Sequence, residues 1–224
     1  MNYTLHFGQV LPYLPYLLGG AAETILLSVL AFTGGMVIGA LGAAAATWGG
    51  ATTRRISGYY VTFFTNTPAL VQVYFIYFVL PDFGIVLSSF NCVLIGLILN
   101  SGAYLTEVQR AGFRSVPRTE IEAAETIGMS GFQTTWYVVM PHVVRTLYPA
   151  LTGQFILVTL GSSIGAVFGV DELTGRAFSV NSETFRAFEV FIITGLLYMA
   201  GTLLATAILA WAGWLLFRAR VRVL

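Results

Sequence analysis

Long runs without a charged residue alternate with short arginine-bearing segments along this chain. Positions 24–53, 56–81, 83–106, 146–170 and 190–217 carry no Asp, Glu, Lys or Arg. About 20 helical residues cross about 30 Å of hydrocarbon, so each run predicts one membrane-spanning helix. The spans are placed at 24–48, 57–80, 86–112, 140–168 and 190–217. A further uncharged stretch, 126–144, is interrupted by Gly128, Gly131, Gln133, Thr134, Thr135, Pro141 and His142. It predicts an interfacial helix and a lead-in to the fourth span, within a loop at 115–135. Pro12 and Pro15 are expected to break any earlier helix. The stretch before them lacks a basic n-region, so the first span is expected to act as the insertion signal. The fold class is therefore all-α, a single polytopic membrane domain over 1–224 with five transmembrane helices.

Charge placement orients these spans. Arg54 and Arg55 follow span one, Arg110, Arg114, Arg118 and Arg145 lie between spans three and four, and Arg218, Arg220 and Arg222 follow span five. The positive-inside rule makes that side cytoplasmic, which puts the N-terminus outside and the C-terminus inside. The other side holds Asp82, Asp171, Glu172, Glu183 and Glu189 with Arg176 and Arg186. Asp171 and Glu172 read there as solvated surface charge.

Composition narrows the function classes. The chain is 57% hydrophobic and only 9% charged, against about 25% charged for soluble domains. There is no Lys, which excludes a P-loop nucleotide site. The single Cys92 cannot form an internal disulfide. His6 and His142 fall on opposite sides of the predicted membrane, so no paired nucleophile or metal set for an intramembrane enzyme is visible. A stand-alone secondary transporter or channel is disfavoured by the few charges at membrane depth and the lack of obvious inverted repeats. Ala31, Gly35 and Gly39, and again Gly161 and Gly165, recur every four residues. That spacing lets helices approach closely, either within the chain or against another subunit.

The cytoplasmic loop carries the densest charge. Pro117 or Thr119 can start a helix whose first turns hold Glu120, Glu122 and Glu125, where the helix dipole favours carboxylates. Ile121, Ala124, Ile127 and Gly128 form an apolar strip at helical spacing, and the small Ala123, Ala124 and Gly128 leave room for another surface. Such a helix either covers the bundle or docks a soluble partner.

The spacing Glu122-Ala123-Ala124, three residues, Gly128, then Val138, Met140 and Pro141 resembles the Glu-Ala-Ala (EAA) signature of the membrane subunits of ATP-binding cassette (ABC) importers, with Met140 where Leu is usual. The likeness extends over nearly the whole chain and is greatest to the polar amino-acid permeases. Phe64-Thr65-Asn66-Thr67-Pro68-Ala69-Leu70-Val71-Gln72, Asn100 to Glu107, Arg114-Ser115-Val116-Pro117, Gln154-Phe155-Ile156 and Thr184-Phe185-Arg186 to Glu189 all resemble segments of that branch. The resemblance implies an importer permease in a bacterial inner membrane, with five spans and an external N-terminus. It implies pairing with a second permease chain, identical or not, and docking on ATPase subunits that bind ATP and Mg. A periplasmic or extracellular binding protein would deliver the amino acid. This chain would hold no cofactor, touch membrane lipid and bind no nucleic acid. Its ATPase-docking residues would be Glu122, Ala123, Ala124 and Gly128, on a coupling helix.

Polar groups at membrane depth mark a possible path, because they are costly unless paired or facing a wet cavity. Asn100, Tyr104 and Glu107 share one helix face. Glu107 reads either as a contact for a substrate cation or as an ion pair with Arg110 or Arg114. Asn100 and Tyr104 read as interhelical hydrogen-bond glue or as substrate contacts. Thr67 before Pro68, with Gln72, marks a span that is either broken or merely kinked. Gln154, Ser162 and Ser163 on span four complete the candidate path. Relatives carry Arg at the place of Thr65 and Lys-Asp-Thr-Ser near Leu160, Gly161, Ser162 and Ser163. The loss of both cations here points away from reading an anionic substrate, and toward the less engaged half of a heterodimer.

Overall fold

The computed structural model describes residues 4–217. Arg218, Arg220 and Arg222, expected on the cytoplasmic side, lie outside the described residues. Helix α1 (Leu14–Trp48) is followed by α2 (Ala51–Thr65) and α3 (Ala69–Tyr74), the last extended through wider and tighter turns to Phe83. Then come α4 (Ser89–Arg114), α5 (Arg118–Thr126), α6 (Gly131–Thr134), α7 (Met140–Gly161), α8 (Leu173–Thr184) and α9 (Ala187–Phe217).

The early prolines do not stop α1. Pro12 and Pro15 occupy first-turn positions of a short tight helix and of α1, where a missing N–H costs nothing. The first apolar helical run therefore extends over Phe7–Trp48, and others over Ser89–Arg114, Gly131–Phe168 and Ala187–Phe217. The third of these is one run because a π-helical segment, Thr135–Val139, joins α6 to α7. Pro141 has no N–H to donate and its ring crowds the preceding turn, and the wider turn accommodates both. The same arrangement, Phe75–Val79 followed by Pro81, extends α3.

The second predicted span is broken. Ala51–Thr65 and Ala69–Phe83 meet at 103°; Pro68 stands in extended backbone, and its ring disfavours helix at Thr67.

Helices α1 and α4 form the central pair. A Cβ on Gly35 would sit 2.3 Å from Ser101 Oγ, and one on Gly39 would sit 2.8 Å from Leu105 Cβ. The Ala31, Gly35, Gly39 stripe is thus a contact within the chain. In the second stripe Gly161 has nothing within 4 Å of an added Cβ, while Gly165 meets Val170 and Glu172 of the following turn. The contacts run from 35 to 39 on α1 as they run from 101 to 105 on α4, so the two helices are parallel. A chain can re-enter in the same direction only after crossing back, so the bent α2–α3 unit makes one full crossing. Gly112 meets Leu147 of α7, and Tyr148 of α7 meets Gly213 of α9. Asn100 and Gln154 share a cleft further along α4 and α7, so α7 runs antiparallel to α4. Four helices are long and apolar enough to cross a membrane, and the bent α2–α3 pair counted as one span brings the number to five.

Apolar side chains pack in successive clusters. Leu27, Val73, Val93, Leu97 and Val158 fill the middle. Leu17, Leu173, Ala177, Val180 and Val190 bind α8 to α1 and α9. Val116, Val143 and Leu147 join the end of α4 to the start of α7.

Candidate functional site

Helix α5 is anchored on one face and open on the other. Ile121 packs against the Val116, Val143 and Leu147 cluster, and Ala124 is only 4% exposed. Glu122, Ala123, Glu125 and Gly128 are exposed, and Ile127 is 76% exposed. The apolar strip expected from sequence therefore divides: Ile121 and Ala124 hold the helix down, while Ile127 projects outward. Gly128 ends the helix at φ +82°. Its N–H donates to the Glu125 carbonyl at 2.9 Å, and the Met129 N–H donates to the Ala124 carbonyl at 3.1 Å. This paired closure requires a left-handed residue, which glycine supplies without strain. Ser130 then caps α6 reciprocally with Gln133, fixing the chain's path toward α7. Four residues on, the exposed rings of Phe132 and Trp136 lie parallel with centroids 6.4 Å apart.

The break between α2 and α3 is held by side chains. Gln72 Nε2 donates to the Phe64 and Thr67 carbonyls at 3.0 Å each and to Thr67 Oγ1 at 2.7 Å. Asn100 Nδ2 donates to the Phe64 carbonyl at 3.2 Å and to Gln72 Oε1 at 3.1 Å. Tyr104 Oη donates to the Thr65 carbonyl at 3.4 Å. These α4 groups satisfy backbone that a broken helix leaves without partners, so Asn100 and Tyr104 serve as glue between helices. Beside them lies a cleft of about 280 Å³ between α3, α4 and α7. Asn100, Tyr104 and Gln154 line it with Ala69 and Leu157.

The remaining path candidates lie elsewhere. Glu107 forms an ion pair with Arg110, in a separate cleft that also includes Arg54 and Arg114. Ser162 is fully buried and donates to the Thr159 carbonyl at 2.7 Å. Ser163 opens on another side, toward Thr174 and Tyr198. Thr67 and Gln72 are occupied within the break itself.

Glu172 corrects the sequence reading most sharply. It is 0% exposed rather than solvated. Its carboxylate accepts the Gly175 N–H at 2.8 Å, capping α8, and the hydroxyls of Tyr198 at 2.8 Å and Thr24 at 3.2 Å. Thr24 in turn accepts the Leu173 N–H at 3.1 Å. One carboxylate thus binds α1, α8 and α9 together. Leu173, Ala177 and Val180, the buried residues of α8, stand at helical spacing, and that signal could have revealed the helix. Glu189 is also fully buried and accepts the His6 N–H at 2.7 Å. Among the described residues no cluster of three metal-ligating side chains occurs.

Residues 35–216 match the family described as binding-protein-dependent transport system inner membrane component. The chain is similar to the glutamine transport system permease protein GlnP of Escherichia coli strain K12, 34% identical over 91% of this chain and 94% of that one. It is also similar to the probable amino-acid ABC transporter permease protein YckA of Bacillus subtilis strain 168, 32% identical over 83% of this chain and 82% of that one. Among solved structures, a chain of an amino acid ABC transporter crystallised with histidines superposes with a TM-score of 0.88 at 31% identity, covering 94% of this chain and 99% of that one. A chain of the MetNI methionine ABC transporter shares the fold, with a TM-score of 0.71 at 20% identity over 94% and 99% of the two chains.

Proposed function

Since this chain belongs to the binding-protein-dependent transport system inner membrane components, we propose that it is the half of an amino-acid import pathway through which an ATPase moves the membrane helices. It is a multi-pass membrane permease subunit of an ABC importer and not an enzyme. Helix α5 docks on a separate ATPase subunit that binds ATP and Mg, with Glu122, Ala123 and Gly128 at the contact and Ala124 seating the helix on the permease. A binding protein delivers the amino acid on the opposite face, and a second permease chain completes the path. The arginine-rich side faces the cytoplasm of a bacterial cell, and the N-terminus lies outside.

The observation that carries this reading is the two-faced seating of α5. Ile121 packs against Val143 and Leu147 of α7 and Ala124 is buried, whereas Glu122 and Ala123 are exposed. A push on the free face is transmitted to span four through packed side chains, and coupling needs such a differential contact. The cleft at Asn100, Tyr104 and Gln154 is the best-supported stretch of the path, since it gathers three polar side chains at membrane depth. Glu107, Ser162, Ser163, Thr67 and Gln72 then act on the shape of the path.

The test is copurification with the ATPase and ATP-dependent uptake in Glu122→Arg and Gly128→Trp variants. Loss of both, with the permease still folded, supports docking. Unchanged association and uptake sink it, as would ion-gradient-driven uptake by this chain alone.

A further inference from the structure

A roomy cavity lies at the inner end of the bundle, not along the path. It measures about 940 Å³ and lies between the start of α7 and the end of α9. Trp136 and Tyr137 line one wall and Leu216 and Phe217 another, with Arg145 and His142 among the polar groups. Its lining joins aromatic and apolar surface to a cation, the composition of a site at the boundary of hydrocarbon and headgroups. Trp211 and Trp214, both exposed, stand one to two turns earlier on α9, as interfacial anchors do.

Arg145 is the distinguishing residue. Other half-buried arginines are held by the chain: Arg110 by Glu107, Arg176 by the Asp171 and Tyr16 carbonyls, and Arg186 by Gln9. Arg54, Arg55, Arg114 and Arg118 are exposed and solvated. Arg145 is half-buried, and among the described residues nothing partners its guanidinium. The acid on the cavity wall, Glu120, instead lies 3.6 Å from His142 Nδ1. A guanidinium next to hydrocarbon calls for an anion, and its fork matches phosphate.

We infer that this cavity holds an anionic phospholipid of the inner leaflet, its phosphate on Arg145 and its upper chain against Trp136 and Phe217. Ligand pockets run from about 300 to 1,000 Å³, so the space exceeds what a bare phosphate fills. Because the lining includes Met140 and Pro141 at the start of α7, the lipid wedges between spans four and five just where α5 pushes. The choice of leaflet rests on the cytoplasmic placement proposed above.

The complete importer is reconstituted with equal phosphatidylglycerol and phosphatidylcholine of matched chains, purified again, and its retained lipid counted. Phosphatidylglycerol should be retained preferentially. Arg145→Gln should reduce its retention on the order of tenfold, the loss of one charge-assisted contact, and Arg145→Lys should reduce it less. Arg55→Gln, at an exposed arginine, should change nothing. Equal retention of both lipids, or undiminished retention in Arg145→Gln and Arg145→Lys, overturns the site. Displacement by excess inorganic phosphate overturns the lipid in favour of a small anion, and displacement on adding more ATPase subunit overturns it in favour of a protein contact. Labelling of Thr126→Cys in sealed vesicles reports orientation separately, so a wrong orientation is distinguished from a wrong site.

Discussion

The Tyr198 hydroxyl donates a 2.8 Å hydrogen bond to the Glu172 carboxylate across 26 positions of sequence. Through it α9 is tied to the N-cap of α8, and through Thr24 Oγ1 at 3.2 Å to α1 as well. Hydrogen bonds to a charged acceptor contribute about 1.5–3 kcal/mol each. Tyr198→Phe should therefore lower stability by about 2 kcal/mol. Glu172→Leu should cost more, because it leaves the Gly175 N–H and two hydroxyls without their acceptor. Thermal unfolding of the purified permease in detergent measures both, and equal midpoints for the two variants would contradict this order.

Neighbouring alanines on α5 should behave differently. Ala124 is 4% exposed, so Ala124→Leu overpacks the buried face of α5 and should destabilise the permease by about 1–3 kcal/mol. Ala123 is exposed, so Ala123→Leu should leave the melting temperature unchanged while weakening ATPase copurification. Paired melting and pull-down measurements separate the two effects.

The two small-residue stripes make an internal control. Gly39→Ala places a methyl 2.8 Å from Leu105 Cβ and 3.0 Å from its backbone carbon. Backbone cannot yield as a side-chain tip can, so a loss of about 1–3 kcal/mol is expected. Gly161→Ala meets nothing within 4 Å and should be neutral or slightly stabilising, by up to about 1 kcal/mol, from improved helix propensity. Limited proteolysis in detergent reads the difference.

Gln72→Leu should loosen the break in the second span. The Thr67 carbonyl would lose the donor that lies 3.0 Å from it, while Asn100 still donates to the Phe64 carbonyl, so the cost is about 1–3 kcal/mol for the one group left unsatisfied. Uptake should fall with stability, and Gln72→Asn, whose shorter amide reaches less far, should not restore it. Full uptake in Gln72→Leu would show that the break does not need this brace.

Much of the architecture is legible in the sequence because hydrocarbon tolerates so few charges. The five crossings, and the arginines that gather at one side, follow from that single constraint. The seating of α5 is partly legible: Ile121 and Ala124 are spaced to bury together, but only the position of Val143 and Leu147 decides that they, and not Ile127, face inward. Glu172 was not legible. Sequence places it beyond a span, where acids are usually solvated, and its burial depends on Thr24 and Tyr198 arriving from helices 148 and 26 positions away. The search for long uncharged windows also passes over α8, whose 12 residues include Arg176 and Glu183. The sharpness of the Thr67–Pro68 break is likewise supported by Gln72 and Asn100 bracing it, since proline alone permits a milder kink.

The π-helical segment Thr135–Val139 gives the interval between Gly128 and Pro141 an angular meaning. Each α-helical residue advances the helix by about 100°, and the wider turn absorbs one residue without carrying that advance forward. The interval therefore works as a phase setting between α5 and α7. Adding or removing one residue there would leave every side chain chemically intact. Span four, however, would present a different face to its neighbours, which makes the length of this short segment as consequential as its composition.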